Sequence, residues 1–179
     1  DALRWARRVV VLDSGSSDAT VELVRGHANA VLYSRPFDCH ANQWNYAVSE
    51  TGIDTDWILA LDADHIASAE LTKEIEVTSA PDDVNGFRAD FIYCIDGRPL
   101  RGSLYPSSVV LFRRGKARYV QDGHTQRLAC EGGIGALKAR LLHDDRKSTE
   151  RWLRSQARYM TLEAAKLDAA KWGELDWPD

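Results

Sequence analysis

The chain has 179 residues, which suits one domain with a single substantial hydrophobic core. Its net charge of −4 and pI near 5.7 give no overall positive field, so nucleic acid is not an expected partner. Three widely spaced cysteines fit neither a zinc site nor a disulfide framework, and reduced cytoplasmic thiols are the preferred interpretation. We expect a cytoplasmic protein that at most lies peripherally on the inner face of the cytoplasmic membrane.

In the first part of the chain, short apolar runs alternate with helical segments. The patterns predict strands over residues 9–12, 30–33 and 57–61, and helices over residues 19–26 and 41–50. This alternation predicts an α/β fold with a mainly parallel central sheet flanked by helices. The chain starts on what resembles the end of an amphipathic helix, so we expect the first strand of such a fold to precede it.

After residue 64 the pattern changes. We predict a helix over residues 69–78, strands over residues 86–95 and 108–113, and a long C-terminal helix over residues 149–171. Turn residues rather than helices separate these strands, which favours a mixed or antiparallel arrangement in the second half.

Acidic clusters follow two of the predicted strands. The first is Asp13-Ser14-Gly15, and the second is Asp62-Ala63-Asp64. Ligands of parallel sheets bind beyond the carboxyl ends of the strands, so both clusters are expected to open onto one crevice. Two carboxylates one residue apart suit Mg²⁺ or Mn²⁺, which also hold phosphate, and a nucleotide diphosphate is the favoured ligand. Taken alone, either cluster is equally well a turn.

These motifs, in this order, resemble the family 2 glycosyltransferases, whose fold is the GT-A nucleotide-diphospho-sugar transferase fold. Residues 9–20 resemble the second strand and turn of that family, and residues 57–64 resemble its metal-binding motif. Residues 41–47 are similar to the segment that lines its nucleotide-sugar pocket. Bacterial lipopolysaccharide-core glucosyltransferase-like proteins share Tyr105-Pro106, residues 111–114 and His143 with this chain.

The resemblance implies a metal-dependent, inverting transfer of a sugar from a nucleotide diphosphate. Asp64 then ligates the cation directly, Asp62 reaches the ribose or the cation, and His143 completes the metal shell or touches the diphosphate. For His143 a purely structural role is the alternative. The residues expected to bind the nucleotide sugar are Asp13, Ser14, Gly15, Gln43, Asn45, Asp62 and Arg113; for Arg113 solvated surface is the alternative.

An inverting transfer also needs a general base near the acceptor hydroxyl. Members of the family tend to have His-Glu where this chain has His124-Thr125, so the expected carboxylate is missing. Asp122 is the preferred candidate for the base and His124 the second. The alternative is that Asp122-Gly123 only forms a hairpin turn.

Residues 1–179 are therefore expected to form one glycosyltransferase-like domain. Its parts are a nucleotide-binding half (1–66), an acceptor half (67–145) and a C-terminal helical segment (146–179). Expected partners are a nucleotide diphosphate sugar and a saccharide or lipid-linked acceptor of the cell envelope. Basic and aromatic residues of the C-terminal helix indicate peripheral membrane contact, with packing on the domain or a homodimer as alternatives.

Two other functions compete with sugar transfer. A phosphohydrolase of the haloacid dehalogenase type also has an Asp-x-Asp after a strand, and Asp144-Asp145 resembles its downstream acidic pair. That fold expects the motif on its first strand, whereas two strands precede it here. A nucleotide-sugar-binding module without catalysis is the other alternative, because Thr125 stands where an acid is expected.

Overall fold

A computed structural model describes residues 2–103 and 105–169, so the predicted end of the C-terminal helix at Lys171 lies outside the described residues. The described helices are α1 (Thr20–Arg25), α2 (His40–Ser49), α3 (Ala69–Val77) and α4 (Thr149–Ala169). The described strands are β1 (Val9–Asp13), β2 (Ala30–Ser34), β3 (Trp57–Leu59), β4 (His65–Ala67), β5 (Val84–Ala89), β6 (Phe91–Ile95), β7 (Arg98–Pro99), β8 (Ser108–Arg113), β9 (Ala117–Asp122), β10 (Thr125–Cys130), β11 (Gly133–Ala136) and β12 (Leu141–Asp144).

The described strands form four separate sheets. β1 pairs with β2 in parallel, and β9 pairs with β10 in an antiparallel hairpin. One four-stranded sheet has the order β11-β5-β8-β3 and the other has the order β4-β12-β6-β7. The expected α/β class is observed, but the expected mainly parallel central sheet is wrong: most pairings are antiparallel, and among the described strands no ladder joins β1 to β3.

The reason lies in the connections between the strands. Parallel neighbours need a crossover of a dozen or more residues, usually a helix, whereas antiparallel neighbours need only a turn. Within the described chain no helix lies between α3 and α4, so β5 to β12 follow one another through turns. The two parallel pairs in this part, β5 with β11 and β6 with β12, join strands that are far apart in sequence.

The hydrophobic core has two clusters that meet at β8. Leu71 of α3 and Leu141 of β12 are fully buried in one cluster together with Leu111. Phe112 packs with Tyr119 and the start of α2 in the other. Consecutive residues of β8 thus serve both clusters, which explains why its apolar residues form an unbroken run rather than an alternating one.

Most predicted elements appear within one or two residues of their expected ends, but the strand predicted over residues 86–95 is divided. Asp90 interrupts it between β5 and β6, and these two strands belong to different sheets. Among the described helices, none is both long enough and apolar enough to cross a membrane.

Candidate functional site

The register of β12 places His143 next to the second acidic cluster. His143 of β12 pairs with His65 of β4 on one side and with Tyr93 of β6 on the other. The next residue, Asp144, donates its backbone N–H to the carbonyl of Asp64 over 2.9 Å. The loop after β3 is therefore fixed against the centre of this sheet, and its acidic residues face a histidine that lies far away in sequence.

His143 and Asp64 form the closest pair in this cluster. Nε2 of His143 lies 3.2 Å from Oδ2 of Asp64. The ligand atoms of Asp64, His65 and His143 all lie within 4.8 Å of one another. Asp62 joins from the other side, since its backbone N–H donates to Nδ1 of His65 over 3.1 Å and its carboxylate lies 3.9 Å from Nε2. Of the three predicted metal-ligand residues, Asp64 and His143 thus belong to this group together with His65, and Asp62 lies beside it.

The two carboxyl groups have opposite electrostatic environments. Desolvation by the surrounding protein raises the pKa of Asp62, and the nearby negative charge of Asp64 raises it further. Burial alone would raise the pKa of Asp64 too, but the hydrogen bond and charge of His143 outweigh it and lower that pKa. Burial lowers the pKa of His65 against the pull of both carboxylates, so this ring is held neutral at pH 7.

The donor set fits a divalent cation. One carboxylate and two imidazoles offer ligand atoms close to one another, and the carboxylate of Asp62 adds a second negative charge beside them. A bound cation would relieve the repulsion between the two carboxylates, and the imidazoles favour Mn²⁺ over Mg²⁺. Asp64, Asp62 and His143 are the residues suited to hold it. His65 is less suited, because its Nδ1 accepts the N–H of Asp62 and its neutral ring then carries its proton on Nε2.

The first acidic cluster folds as a tight turn around the carboxylate of Asp13. This buried group accepts the N–H of Gly15 over 3.0 Å and the N–H of Ser16 over 3.2 Å. Hydrogen bonds from Ser16 and Gly15 lower the pKa of Asp13, so it is ionised at neutral pH. Gly15 has φ +94°, a conformation that other residues rarely adopt, which explains the glycine at this position.

Helix α2 connects the two acidic clusters. Nε2 of Gln43 donates to the hydroxyl of Ser14 over 2.6 Å, and its carbonyl oxygen accepts from Arg35. One turn earlier, His40 lies within electrostatic range of Asp62. The first turn of α2 thus contacts the first cluster and lies within electrostatic range of the second, and a single crevice shared by both stays a prediction.

Two predicted nucleotide-sugar ligands have other partners. The amide of Asn45 donates to the carbonyl of Tyr119 and accepts its N–H, both over 2.9 Å, so it fastens α2 to β9. The guanidinium of Arg113 stacks on the ring of Trp57 at 4.7 Å. Trp57 begins β3 and pairs with Arg113, whereas Asp62 follows the other end of that strand. Arg113 is therefore bound by the protein at the end of β3 opposite to the acidic cluster.

The predicted base residues lie at the tip of the β9–β10 hairpin. Asp122 ends β9 and His124 follows in the connecting turn, so the expected hairpin turn is present. The carboxylate of Asp122 forms an ion pair with Lys166 of α4. Nδ1 of His124 lies 2.5 Å from a carboxylate oxygen of Glu163, also on α4. Both candidates thus contact the C-terminal helix.

Several residues at the site were missed by sequence reasoning. His65 directly follows Asp64, and this adjacency could have identified it as a further candidate ligand. The ring of Tyr105 packs 4.7 Å from the ring of His143 and 5.8 Å from Tyr93. Burial raises the pKa of Tyr105 to about 12, so its hydroxyl stays neutral. Glu163 stands 39 residues from its histidine partner, and no local pattern marks it.

Comparisons with known proteins agree with this geometry. The chain is 29% identical to the lipopolysaccharide core biosynthesis glycosyltransferase LpsC of Rhizobium meliloti (strain 1021), over 92% of this chain and 63% of that protein. The chain thus spans less than two thirds of the length of this curated relative. The family model described as glycosyl transferase family 2 matches residues 4–143, which include both acidic clusters and His143. On this match over most of its length, the chain belongs to glycosyl transferase family 2.

Proposed function

We propose that this protein transfers a sugar from a nucleotide diphosphate sugar to an acceptor with the help of a divalent cation and with inversion at the anomeric carbon. The observation that carries the proposal is the convergence of Asp64, His65 and His143, with 3.2 Å between Asp64 and His143 and with the carboxylate of Asp62 3.9 Å from Nε2 of His65. Family membership supports the same reaction class. When bound, the cation neutralises charge that develops on the departing diphosphate.

The residues of the first acidic cluster suit the nucleotide end of the donor. Asp13 is ionised and held by the turn, so it is placed to accept a hydrogen bond from ribose or base. Ser14 and Gln43 offer further polar atoms beside it, and Arg35 orients Gln43. Because these groups bond to one another already, they are preorganised and lose little conformational freedom on binding.

The aromatic residues beside His143 suit the sugar end. The rings of Tyr93 and Tyr105 are stacked and nearly parallel, with an interplanar angle of 21°, and Tyr105 is about half exposed. Stacked aromatic faces bind the apolar face of a sugar ring, while the neutral hydroxyl of Tyr105 is available as a donor. The catalytic base on the acceptor side is proposed among Asp122 and His124 of the hairpin tip.

The acceptor is proposed to be a saccharide of the cell envelope, free or lipid-linked. The support is the name of the relative LpsC, a lipopolysaccharide core biosynthesis enzyme. A cytoplasmic location at the inner membrane face fits such an acceptor. Helix α4 supplies the membrane contact, because Trp152 and Leu153 are exposed beside the exposed Arg151 and Arg154. Co-sedimentation with anionic vesicles but not with neutral ones tests this contact, and gel filtration tests the homodimer alternative.

Thermal unfolding with UDP-, GDP-, dTDP- and ADP-sugars, each with and without Mn²⁺, tests donor binding. A rise in Tm that needs both the sugar nucleotide and Mn²⁺ is expected. Release of the nucleoside diphosphate, measured on the best donor, then separates the enzyme from the binding-module alternative. Family membership removes the main reason for the dehalogenase-like alternative, and phosphatase activity with Mg²⁺ in place of donor binding would contradict our proposal.

A further inference from the structure

Helix α4 brings a carboxylate to the tip of the β9–β10 hairpin. One oxygen of Glu163 accepts the backbone N–H of His124 over 2.8 Å and lies 2.5 Å from Nδ1 of the same residue. The ring of Tyr159, one turn earlier on α4, packs on the imidazole with 4.5 Å between centroids. His124 is thus held from two sides by one helix, at its backbone and at its ring.

The contact with Glu163 decides which ring nitrogen of His124 carries the proton. Hydrogen bonds from the backbone and the ring of His124 lower the pKa of Glu163, so this carboxylate is ionised at neutral pH and only accepts. A neutral His124 must then carry its proton on Nδ1, which leaves the lone pair on Nε2. Within residues 2–103 and 105–169, Nε2 of His124 has no hydrogen-bond partner.

Gly123 makes the close approach of Glu163 possible. A Cβ atom at this position would collide with the carboxyl group of Glu163. Its φ of +56° also lies in the region that other residues rarely adopt. The glycine therefore serves both the turn and the approach of the carboxylate.

His40 links His124 to the acidic cluster electrostatically. His40, at the start of α2, lies within electrostatic range of both Asp62 and His124. Glu163 and Tyr159 contact His124, His40 lies within its electrostatic range, and Arg158 of α4 acts on His40. Asp122, the other candidate, is less available because Lys166 pairs with it and Nε of Arg127 lies 4.0 Å away.

We propose that Glu163 is a positioning residue which, from helix α4, fixes His124 with Nε2 as the base for the acceptor hydroxyl. This deepens the proposed function and depends on it. The acceptor O–H gives its proton to Nε2 while its oxygen forms the bond to the anomeric carbon. The bond from that carbon to the diphosphate breaks, and its electron pair leaves with the diphosphate. The carboxylate of Glu163 stabilises the resulting imidazolium, which later returns the proton to water.

The helix thus replaces the acid that is missing at position 125. A His-Glu pair along one strand would place the two side chains on opposite faces of the hairpin, because successive residues alternate. Here the carboxylate comes from a different element and meets Nδ1 directly. The arrangement is built from residues that are 39 positions apart in sequence.

The experiment compares Glu163→Gln, His124→Ala and the control Glu150→Gln, which removes an exposed carboxylate paired with Arg154 elsewhere on α4. Glu163→Gln keeps an oxygen that accepts both hydrogen bonds but removes the charge. We expect kcat to fall about 100-fold in His124→Ala and about tenfold or more in Glu163→Gln, with the donor KM unchanged. Glu150→Gln is expected to match the wild type, and Tm values confirm that all variants fold.

A second measurement does not depend on turnover. Nitrogen-15 NMR of the His124 ring in the wild type is expected to show the proton on Nδ1, with a signal that shifts in Glu163→Gln. A ring protonated on Nε2 would overturn the proposal, and so would wild-type kcat in Glu163→Gln. If the wild type releases no nucleoside diphosphate with any donor, the proposed function fails first, and the base role of His124 fails with it.

Discussion

Replacing Asp64 by Asn tests the metal site most directly. The carboxylate of Asp64 lies 3.2 Å from Nε2 of His143 and is less exposed than that of Asp62, so it is the best placed anionic ligand. Asn keeps the shape of the side chain and one oxygen but removes the charge. We therefore expect the variant to fold and to lose most of its Mn²⁺-dependent donor binding.

The size of the effect follows from ligand linkage. A donor–Mn²⁺ pair at 100 times its Kd adds about 2.7 kcal/mol to the free energy of unfolding. For a chain of 179 residues this raises Tm by about 5–11 °C. Losing a carboxylate ligand weakens metal binding at least about 10–100-fold. At the same concentrations the stabilisation then falls to roughly 0.4–1.4 kcal/mol, which corresponds to a shift of about 1–6 °C.

The assay is differential scanning fluorimetry on the wild type, Asp64→Asn and the control Asp56→Asn. Asp56 is exposed and lies before β3, at the end of the strand opposite to Asp64, so the control makes the same charge change away from the cluster. The control should keep the full shift. If Asp64→Asn also keeps the full Mn²⁺-dependent shift, the carboxylate does not bind the cation and the proposed metal site is refuted.

Three other predictions concern stability, each read as a change in Tm. Asp62→Asn should raise the Tm of the metal-free protein, because crowding and Asp64 raise the pKa of Asp62 and disfavour its charge; a fall would contradict this. Leu141→Ala should cost about 3 kcal/mol, or roughly 6–12 °C, since it opens a cavity at a fully buried residue of β12. The N–H of Gly97 and the charge of Arg146 lower the pKa of Asp144, so its stabilising effect is complete above about pH 5 and is lost as the pH falls through the lowered pKa. The Tm gap between the wild type and Asp144→Asn should therefore close on acidification; a constant gap down to pH 3 would refute the assignment.

Local sequence patterns predicted the four described helices and strands β1, β2, β3 and β8, but they did not predict β4, β7 or the strands from β9 to β12, and they joined β5 and β6 into one strand. The apolar runs stop at Asp13 and just before Asp62; β1 does end at Asp13, whereas β3 ends at Leu59, two residues before its apolar run does. Local patterns could not predict which strands pair, because pairing depends on contacts between segments that are distant in sequence. His143 shows the limit: its partners His65 and Tyr93 follow from the register of β12 between β4 and β6, which no local pattern encodes.

The predicted ligands Asn45 and Arg113 show a second limit. Both are polar residues in segments that match the family pattern, and both are engaged by the protein itself. Asn45 bonds to the backbone of Tyr119, and Arg113 stacks on Trp57. The sequence predicted both side chains as ligands of the donor. Whether a polar side chain faces a ligand or holds two elements together depends on the packing around it, which local sequence does not show.

The family match ends before helix α4, so it includes the acidic clusters but not the carboxylate that contacts His124. The match covers residues 4–143 and thus contains Asp13, the acidic cluster and the hairpin, while Glu163 lies beyond it. Groups that hold the donor therefore belong to the part of the chain shared with the family, and the group that orients the proposed base belongs to α4. Because α4 also carries the proposed membrane contact through Trp152 and Leu153, docking on a lipid surface would act on the same helix that positions His124. Under the two proposals, the base for the acceptor is therefore oriented by a segment outside the matched part, and substitutions in α4 are expected to affect transfer to the acceptor before they affect the cation site.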